Sequence, residues 1–177
     1  MKIIKYPKKD EWTAYLKRPE INHDELFDRV QKIIRETADR GDAALIEFTE
    51  KFDGIYLQDI RISREEIESA KEHMDQDLIF AIDEAYENIE RFHESQICKT
   101  QVIETTPGVR CWQKIVPIEK VGLYIPGGSA PLLSTALMLG IPARLAGCED
   151  IIMCTPPGKD GKINPIILYI ADLIGID

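Results

Sequence analysis

Residues 121–157 read VGLYIPGGSAPLLSTALMLGIPARLAGCEDIIMCTPP, and this stretch decides the fold. Its first five residues are apolar apart from the Tyr124 hydroxyl and stop at the Pro-Gly-Gly of residues 126–128, which predicts a buried strand that ends in a loop. A glycine loop after a strand lets backbone N–H groups face a ligand, because a residue without Cβ allows close approach. The sequence therefore places a candidate ligand site at this loop.

The remainder of this stretch predicts a helix and a second strand. Ser129 is a candidate N-cap, Pro131 suits a first helical turn where no N–H is needed, and apolar residues continue at helical spacing as far as Gly147. Residues 151–155 then predict another buried strand, closed by a Pro-Pro pair. Strand, glycine loop, helix and strand in this order are typical of a parallel sheet, in which ligands bind at the carboxyl ends of the strands.

The same stretch resembles one protein family closely. The strings VGLYIPGGSAPL, STALML, IPARLAG and TPP are similar to the characteristic region of histidinol dehydrogenases, NAD-dependent zinc enzymes of histidine biosynthesis. Upstream, GDAALIEFTEKFDG, NIERFHESQ and TTPGVRCWQKIVPIEKVGLY follow that family's N-terminal region in order and spacing. The resemblance covers nearly the whole chain.

The resemblance implies a function and a cofactor site. The family oxidises L-histidinol through histidinal to L-histidine with two NAD, and its NAD-binding tyrosine in the V-G-L-Y-x-P-G-G motif matches Tyr124. Pro126 and Gly127 are expected to line the same surface, and Phe52 and Asp53, which match the family's K-F-D string, are further candidates for that cleft. The family's zinc ligands and its Glu-His pair for proton transfer lie beyond residue 177. The resemblance therefore implies no catalytic and no metal-binding residue within this chain, and a homodimer for the full-length protein.

Length and the last residues favour a piece of that enzyme. At 177 residues the chain is shorter than histidinol dehydrogenases, and its end predicts a helix capped by Asn164, with Pro165 first, followed by the start of another strand. We therefore expect a truncated, N-terminal part that is inactive alone. A chain cut within a parallel sheet should expose apolar surface, notably around Leu137, Ile152 and Ile167.

The first half of the chain is predicted to be helical. Apolar residues repeat at helical spacing on four segments, at residues 12–17, 26–34, 42–53 and 78–92. Ser63 and Glu66 form a capping-box pattern. Residues 55–62 weakly indicate a short extended segment, and residues 101–106 and 111–118 predict a hairpin around a Pro-Gly turn.

Charge patterning indicates where the two halves meet. Charged residues crowd the helical half, whereas residues 121–142 carry none, as expected of elements buried on several sides. We place a domain boundary near residue 98. The expected fold class is α/β, with a helical N-terminal segment in residues 1–97 and a partial Rossmann-like, doubly wound parallel sheet, truncated, in residues 98–177.

Composition excludes several classes of function. The chain has 31 acidic and 22 basic residues, a net charge of −9, and no basic stripe of the kind that neutralises phosphates, so nucleic acid is not an expected partner. No apolar run approaches a membrane span, and the N-terminus lacks a signal peptide. We expect a cytoplasmic protein with no membrane association.

Few side chains suggest chemistry by themselves. The histidines His23, His73 and His93 do not pair with other ligands at metal-binding spacing, and the four cysteines form no C-x-x-C pair. Because a thiolate can carry aldehyde oxidation, a cysteine-dependent enzyme resembling aldehyde dehydrogenases remains an alternative. A non-catalytic nucleotide-binding or assembly module is the other alternative.

Overall fold

The structure is a computed structural model, and it describes residues 3–17, 24–127 and 132–176, apart from the side chain of His73. The chain forms two compact units, residues 1–45 and residues 46–177. These units are defined by contacts within the structure. The boundary near residue 98 is based on composition, and it stays a prediction. The roles assigned to Gly128, Ser129 and Pro131 lie outside the described residues, as does His23.

The first unit consists of helices with open apolar faces. After a single 3-10 turn at Lys9–Glu11 come α1 (Trp12–Leu16) and α2 (Asp24–Arg40), in which no residue is fully buried. Leu26 and Ile34 on α2 remain more than half exposed. Gly41 then takes a positive φ of 59°, which ends α2 before α3 (Asp42–Asp53) begins.

The second unit contains the other helices expected from local capping signals. The capping box before α4 (Arg64–Ala70) is confirmed, because Ser63 Oγ accepts from the Glu66 N–H at 3.2 Å and Glu66 Oε2 accepts from the Ser63 N–H at 3.0 Å. A 3-10 turn at Lys71–His73 leads to α5 (Gln76–Glu94), which Asp75 caps. Residues 55–62 belong to no strand within the described residues, and the extended segment expected there stays a prediction.

The predicted hairpin is present but shorter than expected. β1 (Val102–Thr106) and β2 (Val109–Trp112) pair antiparallel, and the glycine of the turn, Gly108, has a φ of 85°. The second arm ends at Trp112 instead of continuing to residue 118. Every residue of both strands is exposed.

The βαβ unit is confirmed in order and direction. β3 (Lys120–Tyr124) leads through α6 (Leu133–Leu145) to β4 (Asp150–Cys154), which lies parallel to β3 with Val121 opposite Ile151 and Tyr124 opposite Cys154. The chain ends in α7 (Pro165–Ile174), where Asn164 Oδ1 accepts from the Ile166 N–H at 2.9 Å. The fold is mixed α/β, as predicted.

Among the described residues, only one face of the two-stranded sheet is covered. Its inward residues join a core with α5, α6 and α7 that includes Ile125 and Ile151. On the opposite face, Tyr124, Ile152 and Cys154 are exposed. The expectation of strands buried on several sides is therefore wrong for the described residues, since alternate side chains of a strand point to opposite faces and only one has a helical cover.

The predicted exposure of apolar residues is confirmed for one residue of three. Ile152 is 57% exposed, whereas Leu137 and Ile167 are each 4% exposed. These two are buried because α6 packs against both α5 and α7. Gly140 contributes to that packing, since a Cβ at this position would lie 2.7 Å from Ile174 Cδ1. Within the described residues, no helix is long and apolar enough to cross a membrane.

A buried tyrosine makes the stability of this core depend on pH. The Tyr169 hydroxyl donates to Asp83 Oδ1 at 2.7 Å, and burial, followed by this hydrogen bond and the charge of Asp83, raises the pKa of Tyr169 from 10.0 to about 12. In the unfolded chain Tyr169 ionises near pH 10, so the stabilisation is complete below pH 10 and is lost as pH rises to 12. A shift of this size corresponds to at most about 3 kcal/mol.

We therefore expect Tyr169→Phe to be less stable than the parent at pH 8, and to lose less stability between pH 10 and 12. Urea unfolding at fixed pH measures both quantities. Parallel stability curves for the two proteins across this range would contradict the expectation.

Candidate functional site

The parallel strands bring two loops to one edge of the sheet. Because β3 and β4 run in the same direction, Pro126 and Gly127 after β3 lie beside Thr155 and Pro156 after β4. The ladder continues one residue beyond β3, where the Ile125 N–H donates to the Cys154 carbonyl at 2.8 Å. This is the edge at which parallel sheets bind ligands.

A glycine holds the two loops in close contact. A Cβ built on Gly127 would overlap the Cγ atom of Pro156, so the Pro156 ring packs directly against the backbone of the β3 loop. A proline ring has little freedom to move aside. Gly127 thus has a packing role as well as its predicted place on the cofactor surface.

A cavity of about 280 Å3, here called the strand-end cavity, opens between these loops and the start of α7. Its lining includes residues of both loops, namely Pro126, Gly127, Thr155, Pro156, Asp160 and Lys162. Pockets that enclose a whole small ligand usually measure about 300–1,000 Å3. The strand-end cavity lies at the lower end of this range, so its volume suits a small ligand or part of a larger one.

Tyr124 lies at the carboxyl end of β3, two residues before the first lining residue of the strand-end cavity. It is the last residue of β3 and is 63% exposed, on the same face as Cys154 and Ile152. Its hydroxyl makes no hydrogen bond to any residue that the structure describes. A flat ring and an unpaired hydroxyl at this position can stack on a ring of a ligand and bond its sugar.

The predicted site residues are only partly brought together. Tyr124, Pro126 and Gly127 lie within four residues at one strand end. Phe52 and Asp53 end α3, where Phe52 stacks on the ring of Phe48 at 5.7 Å, and they do not line the strand-end cavity.

The loop after β4 was not singled out from the sequence as part of the site. Its residues Thr155, Asp160 and Lys162 line the cavity, although only the Pro-Pro pair had been noted, as a strand end. The signal that indicates this loop is the rule that ligands bind at the carboxyl ends of neighbouring parallel strands. Applied to β4 as well as to β3, that rule would have found it.

A larger cavity lies beside the hairpin. It measures about 450 Å3 and is lined by residues such as Cys98, Gln101, Cys111 and Trp112. None of the predicted site residues lines it, and both strands beside it are exposed. The strand-end cavity is therefore the stronger candidate despite its smaller volume.

The described residues do not fit a zinc site. Among residues 3–17, 24–127 and 132–176, no group of three or more His, Cys, Asp or Glu side chains is placed to hold a metal ion. His93 Nδ1 instead lies 2.7 Å from Gln96 Oε1 at the end of α5. Cys154, predicted to end a buried strand, is exposed because it lies on the open face of β4, and Cys98 and Cys111 are also exposed.

Comparison with known proteins decides the family. The model of the family described as histidinol dehydrogenase matches residues 16–177. The chain belongs to the histidinol dehydrogenase family. This confirms the resemblance carried by the Pro-Gly-Gly loop and its flanking strings, and it makes the chain a member of a family of oxidoreductases of histidine biosynthesis.

Individual histidinol dehydrogenases are similar over the whole chain. The enzyme of Bacteroides thetaiotaomicron is 50% identical over 176 residues, which cover 99% of this chain and 41% of that protein. The enzyme of Campylobacter jejuni is 49% identical over 180 residues, and again 41% of its length is covered. The crystal structure of histidinol dehydrogenase from Elizabethkingia anophelis matches with a TM-score of 0.89 and 51% identity, over 96% of this chain and 39% of that one. The chain thus spans about 41% of the length of the curated relatives that it matches.

Proposed function

We propose that this chain is the N-terminal part of a histidinol dehydrogenase and supplies part of its NAD-binding surface. The whole protein then oxidises L-histidinol through histidinal to L-histidine with two NAD. The observation that carries the proposal is the identity of about half of all residues to histidinol dehydrogenases over nearly the whole chain.

The described residues fit a nicotinamide cofactor. NAD would supply the hydride acceptor, while this chain binds and orients it. The exposed ring of Tyr124 offers a stacking surface. Pro126 and Gly127 line the strand-end cavity. Because Gly127 has no Cβ, the Pro156 ring can pack directly against the backbone of this loop.

Zinc and proton transfer are assigned to the rest of the protein. The described residues bring no metal-ligand cluster together, and the family resemblance puts these groups later in the sequence. The chain by itself is therefore expected to be inactive. For the full-length protein we propose a cytoplasmic homodimer.

Of the three functions considered from the sequence, the family match supports this one. A cysteine-dependent aldehyde dehydrogenase, and a non-catalytic nucleotide-binding or assembly module outside this family, receive no support from the family match.

Assays of the purified 177-residue chain test the proposal. We expect saturable NAD binding by calorimetry, no NADH formation with L-histidinol, and zinc well below one ion per chain, because a closed zinc site retains about one. The histidinol dehydrogenase of Bacteroides thetaiotaomicron serves as the active control. Stoichiometric zinc with NADH formation would contradict the division of roles, and absence of NAD binding would contradict the cofactor surface.

A further inference from the structure

The strand-end cavity has a single cationic side chain among the described residues that line it. Asp160 and Lys162 are its only charged lining residues there, and both belong to the loop after β4. Residues 121–127, which form β3 and the described part of its loop, contain no charged side chain. A negatively charged group in this cavity would therefore depend on Lys162 for a side-chain counter-charge.

The loop fixes the backbone of Lys162 and leaves its side chain free. The Gly158 N–H donates to the Lys162 carbonyl at 2.8 Å, and the Gly161 N–H donates to the Gly158 carbonyl at 2.9 Å. Asp160 Oδ1 accepts from the Lys162 N–H at 3.1 Å, so this carboxylate is partly engaged within the loop. Lys162 is exposed, and no carboxylate among the described residues lies within ion-pair distance of its ammonium.

We propose that Lys162 binds the diphosphate of the dinucleotide by contacting its phosphoryl oxygens. This inference rests on the proposed NAD surface and adds a residue to it. A lysine acts on a phosphate as a mobile point charge. If Tyr124 stacks on a ring at the end of β3, a diphosphate that reaches into the strand-end cavity would meet Lys162, which lines it. The carboxylate of Asp160 also lines the cavity and repels the diphosphate. We therefore expect the loss of the Lys162 ammonium to change the affinity only several-fold.

Two alanine variants of the same loop test this contact. Lys162→Ala removes the lining ammonium, and Lys159→Ala removes an exposed lysine that does not line the cavity. Calorimetry on the 177-residue chain with NAD, ADP-ribose and adenosine separates phosphate from base recognition. We expect Lys162→Ala to weaken NAD and ADP-ribose binding by about 2- to 5-fold, the range for an exposed charge pair.

Control ligands, control variants and salt distinguish a lost charge from a disturbed loop. Adenosine binding should be unchanged in Lys162→Ala, Lys159→Ala should match the parent for all three ligands, and Lys162→Arg should restore affinity because it keeps the charge. The difference between the two alanine variants should shrink in 0.5 M salt, where the Debye length is only about 4 Å. Melting temperatures should be equal, since both lysines are exposed.

The outcomes separate this proposal from the one on which it rests. Failure of the parent chain to bind NAD overturns both. NAD binding that weakens in Tyr124→Ala but is the same in the Lys162→Ala and Lys159→Ala variants overturns the role of Lys162 alone. Equal loss of adenosine and ADP-ribose binding in Lys162→Ala also overturns it, because the cause would then be a disturbed loop and not a lost charge.

Discussion

Replacing Ile151 by alanine is expected to lower the free energy of unfolding by about 2–4 kcal/mol, the range for deleting a buried aliphatic side chain. The same replacement at Ile152 should cost less than about 1 kcal/mol, because little apolar area is removed from water there. The two residues are neighbours in β4, one 6% and the other 57% exposed. Both variants replace an isoleucine of the same strand by alanine, so the two positions differ mainly in burial.

Urea unfolding of the two variants measures the difference. Because the residue type and the strand are the same at both positions, the difference reports mainly how far each side chain is buried. A loss at Ile152 equal to that at Ile151 would show that the open face of the sheet is covered in solution, for instance by self-association. Sedimentation of the parent chain would then identify the cover.

Tyr124→Ala is expected to weaken NAD binding by about 10-fold or more, since truncating an aromatic anchor often costs 2 kcal/mol or more and about 1.4 kcal/mol corresponds to a factor of ten. The melting temperature should stay nearly unchanged, because the ring is 63% exposed. A ring buried in the core would instead cost about 3–5 kcal/mol of stability on removal.

The matched control is Tyr56→Ala, which removes a tyrosine that is 70% exposed and lies between α3 and α4 instead of at the end of a strand. Its affinity for NAD should equal that of the parent. Tyr124→Phe shows how much of the effect belongs to the hydroxyl. Unaltered NAD affinity in a folded Tyr124→Ala protein would remove Tyr124 from the cofactor surface.

Local signals predicted the helices and strands well. The capping residues Ser63, Asp75 and Asn164 each accept the backbone N–H expected of a cap, and Gly41 and Gly175 take the positive φ that ends a helix. Such features depend on interactions within a few residues, so the sequence carries them in full. Residues 55–62, whose alternation is weak, are not paired in a sheet within the part of the chain that the structure describes.

Burial was harder to predict because it depends on what covers a surface. Ile152 and Ile151 look alike in the sequence, and only the position of α6 and α7 makes one buried and the other exposed. Phe92 ends the apolar repeat that predicts a helix at residues 78–92. It was expected on the buried stripe of α5, and it is 62% exposed.

The candidate site was predictable on one strand and not on the other. Tyr124, Pro126 and Gly127 stand out because they end an apolar strand. The contact between Gly127 and Pro156 joins residues far apart in sequence and leaves no periodic pattern. Lys162 appears in the sequence as one more surface lysine, and only the cavity distinguishes it from Lys159.

Titrating NAD into the isotope-labelled 177-residue chain, followed by backbone amide NMR, tests most directly whether the dinucleotide contacts the carboxyl ends of β3 and β4. We predict that the shifted amides cluster at residues 124–127 and 155–162, which flank the strand-end cavity. A spectrum that NAD leaves unchanged, or shifts confined to the hairpin at residues 102–112, would contradict the assignment of the cofactor surface to this edge of the sheet.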